Sequence, residues 1–289
     1  MWIAYVSAAV AAVLWGTSFL LTRMAMNQMG PLAVAALRWW ITSCVLMLVV
    51  NISSGMRYSL RRAWREWPLF LALGIIGEGV AYVFQNLALA YTTTVDVGLI
   101  MNAYPILSAV LGVWVLREPM SWRAAGGLVM GLFGVTLITL GGVWAGDVET
   151  CVRVLGNGLA LLATLAGAFY IVAGKRLVLA YGPLPVTALA GLIGALAMTP
   201  VAVAEGITLR WSAETWGALL GLALGCGAAA YLLWWHAAKQ LPISQAGVFL
   251  YLTPVVSTLL GVWVLNEPLT LATAAGAGLV LGGMTLAQV

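Results

Sequence analysis

The stretch GVWVLREP, Gly112 to Pro119, returns almost intact as GVWVLNEP, Gly261 to Pro268, with Arg117 exchanged for Asn266. The copies lie 261 − 112 = 149 residues apart, and sliding the chain on itself by that offset aligns much more. Tyr82 meets Tyr231, Gly98 meets Gly247, Pro105 meets Pro254, Ser108 meets Ser257, Gly127 meets Gly276 and Gly134 meets Gly283, all without a gap. Earlier in each half, an offset of 152 pairs Arg23 with Lys175 and Gly30-Pro31-Leu32 with Gly182-Pro183-Leu184. The chain therefore reads as one unit written twice, residues 1–149 and 150–289.

Composition says what that unit is. Of the 289 residues, 63% are hydrophobic and only 8% charged, against ~25% charged in a soluble domain, and the mean hydropathy is +1.03. The apolar residues run in blocks of about 20, the length that crosses a bilayer. Ten such spans stand between turn and charge signals, at roughly 3–26, 31–52, 67–91, 94–116, 121–143, 156–174, 183–204, 214–238, 244–265 and 270–288. The expected fold class is an all-α integral membrane protein of ten transmembrane helices, five in each repeat.

Five is odd, so the second unit enters the membrane from the side opposite to the first, and the halves form an inverted repeat about an axis in the membrane plane. Lys and Arg in short loops fix the orientation. With the N-terminus inside, the inner loops and their edges hold Arg57, Arg61, Arg62, Arg65, Arg117, Arg123, Lys175, Arg176 and Lys239, leaving Arg23, Arg38, Arg153 and Arg210 on or toward the outside. Both termini are thus expected in the cytoplasm of a bacterial-type inner (plasma) membrane. Trp64, Trp67, Trp122, Trp144, Trp211 and Trp216 fall at span ends, where indoles favour the headgroup level.

Several function classes lack their chemistry. The net charge of +4 comes from basic residues scattered between apolar blocks, which make no surface for nucleic acid. Cys44, Cys151 and Cys226 supply neither a disulfide framework nor a CxxC metal pair. The first apolar block has no basic residue before it and no small-residue cleavage site after it, so it reads as a retained helix, and no lipidation pattern accompanies it. Without a Walker A loop, ATP drive within the chain is not expected. A membrane-embedded enzyme would need a nucleophile with its base, or a metal cluster, and the sequence offers neither.

The duplicated five-helix halves, a proline in the fourth helix of each (Pro105, Pro254), and a Glu-Pro turn followed by Ser121 or Thr270 at the start of the fifth helix resemble the drug/metabolite transporter superfamily. Within it, the chain resembles the ten-helix EamA-type exporters over essentially its whole length. Its length and aromatic-rich helices are most similar to the YddG-type amino-acid exporters. It departs from the four-helix small multidrug branch, which carries a Glu in its first helix, where this chain has none.

The residues for transport stand where polar groups are costly and face a cavity or a partner. Glu78, Tyr82, Gln85 and Asn86 share one face of the third helix at i, i+4, i+7 and i+8. Glu78 is about 11 residues past Trp67, or ~16 Å into the membrane. It reads either as a cavity carboxylate, meeting a substrate ammonium or taking up a proton, or as a structural partner of Arg38. The repeat sets Gly227, Tyr231 and Trp234 opposite Glu78, Tyr82 and Gln85, giving an aromatic wall across from a polar one. Trp235 is expected to face lipid.

Trp15, Ser18 and Thr22 on the first helix, with Gly167, Tyr170 and Gly174 on the sixth, are further candidates, although Ser and Thr hydroxyls also back-bond to their own helix. The fourth and ninth helices carry Gly98, Asn102, Pro105 and Gly247, Tyr251, Pro254 at matched positions. Asn102 and Tyr251 join the binding set; Gly98, Pro105, Gly247 and Pro254 are expected hinge points for gating. His236, the one histidine, lies at a helix end and reads as solvated. GxxxG pairs at Gly127/Gly131 and Gly278/Gly282 are expected to pack helices within one chain, a monomer.

Together these imply a secondary transporter or facilitator exporting small amphipathic metabolites, amino acids including aromatic ones, by alternating access around a midplane cavity. It needs no cofactor or metal, and its partners are the small-molecule substrate and membrane lipid. The alternative is a proton-coupled multidrug efflux transporter; a membrane-embedded enzyme is the reading from another class. The inverted topology makes a direct prediction. In a background lacking the three native cysteines, single cysteines at positions 117 and 266 are labelled by an impermeant thiol reagent from opposite faces of the membrane, and labelling from the same face overturns the inversion.

Overall fold

The computed structural model describes residues 2–52, 64–91, 100–141, 150–206, 210–265 and 271–288. Arg57, Arg61, Arg62, Gly98, Trp144, Asn266, Glu267, Pro268 and Thr270 lie outside the described residues, as do the side chains of Arg23, Trp64, Asn86, Cys151 and Arg153.

All regular structure among the described residues is helical. The helices are α1 (Trp2–Met26), α2 (Pro31–Ile52), α3 (67–91), α4 (Tyr104–Leu116), α5 (Trp122–Gly141), α6 (Thr150–Tyr181), α7 (Pro183–Glu205), α8 (213–240), α9 (243–265) and α10 (Leu271–Gln288). Lipid offers backbone groups no partner, so a spanning segment must satisfy its own N–H and C=O groups, which a helix does. Six stretches are long and apolar enough to cross a membrane: α1, α2, Trp67–Gln85, Val154–Tyr181, α7 and Ala213–Gln240. Tyr104–Leu116, Trp122–Leu137, Ile243–Ser257 and Ala274–Ala287 are apolar but shorter. The protein is a multi-pass membrane protein.

The packing follows the repeat. α6 lies against α3 and α4, and α1 lies against α8 and α9, so adding five to each helix number turns one set of neighbours into the other. α3 packs on α7 as α8 packs on α2, while α2 pairs with α7 and α5 with α10, each helix meeting its own counterpart. Within the repeated octapeptides, Trp114 and Trp263 are 77% and 79% exposed, so the shared sequence presents the same outward face twice.

Glycines set how closely these pairs approach. A Cβ at Gly127 would lie 2.5 Å from the Gly283 carbonyl oxygen, and one at Gly134 would lie 2.5 Å from that of Gly276. The α5–α10 seam therefore uses glycines spaced by seven, which the 149-residue offset had paired. Of the expected GxxxG pairs, Gly127 and Gly131 do border Gly283, Gly131 also facing the Tyr251 ring, whereas Gly278 has no atom near its Cβ position and Gly282 meets the flexible end of Met130. A helix pair crossing at a shallow angle brings the same face back every seven residues, not every four.

Helix boundaries also differ from expectation: α4 begins at Tyr104 after a turn at Asn102 and Ala103, and α6 begins at Thr150, ahead of the expected 156. α6 runs to Tyr181, past the end expected at 174, because Lys175 is not a loop residue. Its ammonium is buried, pairs with the Glu118 carboxylate and donates to the Leu241 carbonyl at 2.6 Å. The other Glu118 oxygen accepts from the Ile243 backbone N–H at 2.6 Å. One carboxylate thus joins the α4–α5 turn, α6 and the start of α9.

Arg117 aims Glu118 into this junction from a left-handed C-cap, φ 55° and ψ 35°. It is the non-glycine residue with positive φ among the described residues. Left-handed geometry costs an ordinary side chain about 1 kcal/mol or more, and Asn visits it more readily. Arg117→Asn, which installs the second copy's residue, is expected to raise the thermal midpoint of the detergent-solubilised protein by ~2–4 °C per kcal/mol relieved. A lower midpoint shows that the arginine has a compensating contact.

Candidate functional site

The helical ladder changes pitch at two matched places. Leu73–Val80 in α3 and Gly221–Ala229 in α8 are π-helical. Adding 149 to 73–80 gives 222–229, so the irregularity repeats with the sequence. π-helical turns are rare and concentrate at functional sites. Both segments are glycine-rich, with Gly74, Gly77 and Gly79 in one and Gly221, Gly225 and Gly227 in the other, which lowers the helix propensity that a regular ladder would need.

In α8 the altered ladder offers carbonyls to neighbouring helices. Cys226 O accepts from the Trp15 indole at 3.0 Å, and Ala223 O accepts from the Thr42 hydroxyl at 2.8 Å. In α3 the π segment carries Glu78. Its side chain is 1% exposed, its Cβ abuts Gly194 of α7, and neither carboxylate oxygen has a hydrogen-bond partner.

Arg38 on α2 is close by and also buried, 6% exposed. No ion pair joins it to Glu78, and its Nε has no hydrogen-bond partner. Its guanidinium lies over the Tyr82 ring at 5.2 Å and the Trp39 ring at 5.9 Å. Glu78 and Arg38 thus make no direct ion pair, while each lies within electrostatic reach of the other. A lone charge at this depth costs about 2.5–3.5 kcal/mol on insertion scales; a desolvated cation–π contact returns up to ~2.

Around these charges the rings of four helices converge on Tyr231. Trp15, Trp39 and Tyr170 meet it edge-on, with centroids at 5.2, 5.0 and 5.8 Å. Trp234 packs on Trp15 at 5.8 Å and Trp235 on Tyr170 at 5.6 Å. Edge-to-face pairs contribute roughly 0.5–1.5 kcal/mol each beyond burial. The indole N–H groups of Trp39, Trp234 and Trp235 and the Tyr170 hydroxyl are buried without a hydrogen-bond partner. The open concavities lie elsewhere: a groove of about 680 Å³ along α5 and α10, lined by Val129, Phe133 and Leu279, and one of about 140 Å³ between α3 and α7.

Of the residues expected from sequence, Glu78, Tyr82, Trp15, Tyr170, Tyr231 and Trp234 come together here. Ser18 does not offer its hydroxyl proton, which goes to the Trp15 carbonyl at 2.6 Å. Gln85 on α3 and Asn102 in the turn before α4 are half-buried. Tyr251 is buried against Gly131 of α5, away from the Tyr231 rings. His236 is exposed and hydrogen-bonded to Gln240 at 2.8 Å.

The expected hinge residues divide. Pro105 sits in the first turn of α4, where a missing N–H costs nothing, so it starts a helix and does not kink one. Pro254 lies within α9 just after the 3-10 turn Phe249–Tyr251, the place where a proline disturbs the ladder four residues back. Gly247 faces Pro105, and a Cβ there would rest 3.6 Å from the Pro105 carbonyl.

Trp235 corrects the expectation that it faces lipid: it is 0% exposed, and its ring fills the space above Gly174. Trp39 is the member of the cluster that sequence reasoning left out, and Arg38 entered there only as a structural partner of Glu78, although an arginine inside an apolar span followed by two tryptophans was the available signal. Tyr104, at the head of α4 against Gly167, was missed as well.

Known proteins bear on this geometry. An uncharacterized transporter of Archaeoglobus fulgidus is 29% identical over 276 residues, covering 96% of this chain and 95% of its own. The uncharacterized transporter YyaM of Bacillus subtilis is 26% identical, covering 96% and 90%. A solved crystal structure superposes with a TM-score of 0.79 over 98% of this chain and 96% of its own at 24% identity, a likeness of fold. The EamA-like transporter family matches residues 2–140 and 154–288. An all-helical apolar chain with buried charges at a matched break in its helices, similar end to end to transporters, belongs to the EamA-like transporter family.

Proposed function

We propose that this transporter is a secondary carrier or facilitator that exports small amphipathic metabolites, amino acids including aromatic ones, as its resemblance to YddG-type exporters implies. In this reading ten helices cross a bacterial-type inner membrane as an inverted repeat, with both termini in the cytoplasm. The two stretches matched by one family description and the exchange of neighbours between halves support the repeat. Contacts support the alternation of loops. Lys175, Glu118 and Ile243 meet at one end, with Arg176 near Glu66 and Tyr5 near Gln245. Glu205 binds the Leu32 and Ala33 N–H groups at 3.0 and 2.9 Å, and Gln28 binds Ser212, at the other.

The observation that carries the function is the Glu78 carboxylate, buried with both oxygens unpaired beside an aromatic wall. A solute ammonium is the complement of such a group, and rings complement an apolar side chain. Because the rings are packed against one another, the conformation is occluded, and access requires relative movement of the halves. Contact between Gly247 and Pro105, one from each half, is a natural pivot.

Glu78→Gln keeps the volume and removes the charge. In proteoliposomes, labelled amino-acid flux is expected to fall by about tenfold or more, the consequence of losing ~1.4 kcal/mol or more of charge-assisted recognition. Normal flux at every pH removes Glu78 from the mechanism. The same carboxylate also suits the alternative, proton-coupled efflux of cationic drugs. Dissipating a pH gradient separates the two: it stops drug exchange driven by protons and leaves facilitated amino-acid flux running.

A further inference from the structure

Among the described residues neither charge of the buried site has an ion-pair partner, and the Tyr170 and Tyr231 hydroxyls border Glu78. Glu78 has two unpaired oxygens, and Arg38, 6% exposed, has an unpaired Nε and no ion pair. Two opposite charges in a low-dielectric interior ordinarily collapse onto each other, because the pair is far cheaper than the separated ions. Here the rings keep them apart. The Arg38 guanidinium rests on Tyr82 at 5.2 Å, one helical turn beyond Glu78 on α3, and lies 5.9 Å from the Trp39 ring on its own helix. Trp39 is in turn fixed edge-on to Tyr231 at 5.0 Å.

We infer that Arg38 and Glu78 are the two poles of a receptor for one small zwitterion, with Arg38 taking the solute's anionic end and Glu78 its ammonium. This rests on the reading of the site as the substrate site, and it adds Arg38 as the residue that determines specificity for a carboxylate. Tyr82, on which the guanidinium rests, lies one turn or about 6 Å along α3 from Glu78. Two charge-assisted hydrogen bonds of about 2.8 Å each, made from adjacent ammonium and carboxylate groups on one carbon, bridge a separation of that order. An arginine suits the anionic pole because its planar fork receives a carboxylate through two parallel N–H bonds while its face stays stacked on a ring. Tyr231 and Trp15 lie beside the poles, where the side chain of such a solute would rest.

A receptor with both poles differs from a carrier of simple cations. A site for amines needs Glu78 and gains nothing from an arginine within electrostatic reach, which repels a cation. An anion site needs Arg38 and is opposed by Glu78. A zwitterion alone satisfies both.

Three solutes of one shape test this in proteoliposomes: phenylalanine, phenethylamine, which lacks the carboxylate, and 3-phenylpropionate, which lacks the ammonium. The unaltered protein is expected to move phenylalanine at least tenfold faster than either. Arg38→Gln is expected to lower phenylalanine flux at least tenfold while phenethylamine flux is unchanged or rises, and Glu78→Gln to spare 3-phenylpropionate in the mirror pattern. Arg38→Lys, which keeps the charge and loses the fork, is expected to raise the KM for phenylalanine with little effect on maximal flux. It provides the readout if Arg38→Gln fails to fold. Equal losses for phenylalanine and phenethylamine in the Arg38 variants make Arg38 a scaffold and overturn the inference, while leaving the substrate-site reading intact. If the unaltered protein moves phenethylamine as fast as phenylalanine, the carboxylate pole is refuted. If it moves none of the three, the substrate reading itself falls, and the inference falls with it.

Discussion

A backbone inside lipid must satisfy its own hydrogen bonds. Everything characteristic of this protein occurs where that requirement is loosened and met again by neighbours. At Gly221–Ala229 the α8 ladder widens, and the carbonyls of Ala223 and Cys226 receive Thr42 and Trp15. These bonds fix α1 and α2 against α8 and set the Trp15 and Trp39 rings around Tyr231. Among the described residues, the carbonyls of the matched break at Leu73–Val80 receive no such side-chain bonds. The break instead turns Glu78 inward, against Gly194. One symmetric backbone feature is thus used asymmetrically: one half supplies an aromatic scaffold and the other a charge.

The repeated octapeptide has a second role that its sequence did not reveal. Its Glu-Pro pair reads as a turn, and it is one, but the Glu118 carboxylate also collects Lys175 and the Ile243 N–H. A bond network joining both halves at one end of the molecule would have to open if the halves move. Arg117, the differing letter of the first copy, occupies a left-handed C-cap at φ 55°, a conformation that Asn visits more readily.

Much of the architecture was legible because periodicity and repetition act locally. Apolar runs of membrane length gave the helices, and their ends were misjudged where charge was mistaken for a loop, as at Lys175, and where a turn interrupts an apolar run, as before Tyr104. The 149-residue offset paired Gly127 with Gly276 and Gly134 with Gly283, and those four line the α5–α10 seam; the GxxxG pattern found Gly127 and Gly131 but not Gly134, Gly276 or Gly283. Of the site, Glu78, Tyr82, Tyr170, Tyr231 and Trp234 followed from their helical faces. Trp39 and Trp235 did not, because an indole beside others in an apolar helix carries no mark of which side it faces.

The sequence by itself determined the solvent, the helices and the duplication, since each depends on the composition and spacing of residues near one another in the chain. Only the tertiary structure decided that Glu78 and Arg38 are not paired, that the ladders of α3 and α8 break together, and that six aromatic side chains close over the charges. Those outcomes depend on distances between helices remote in sequence, set by where glycine lets two backbones meet and where a ring holds them apart.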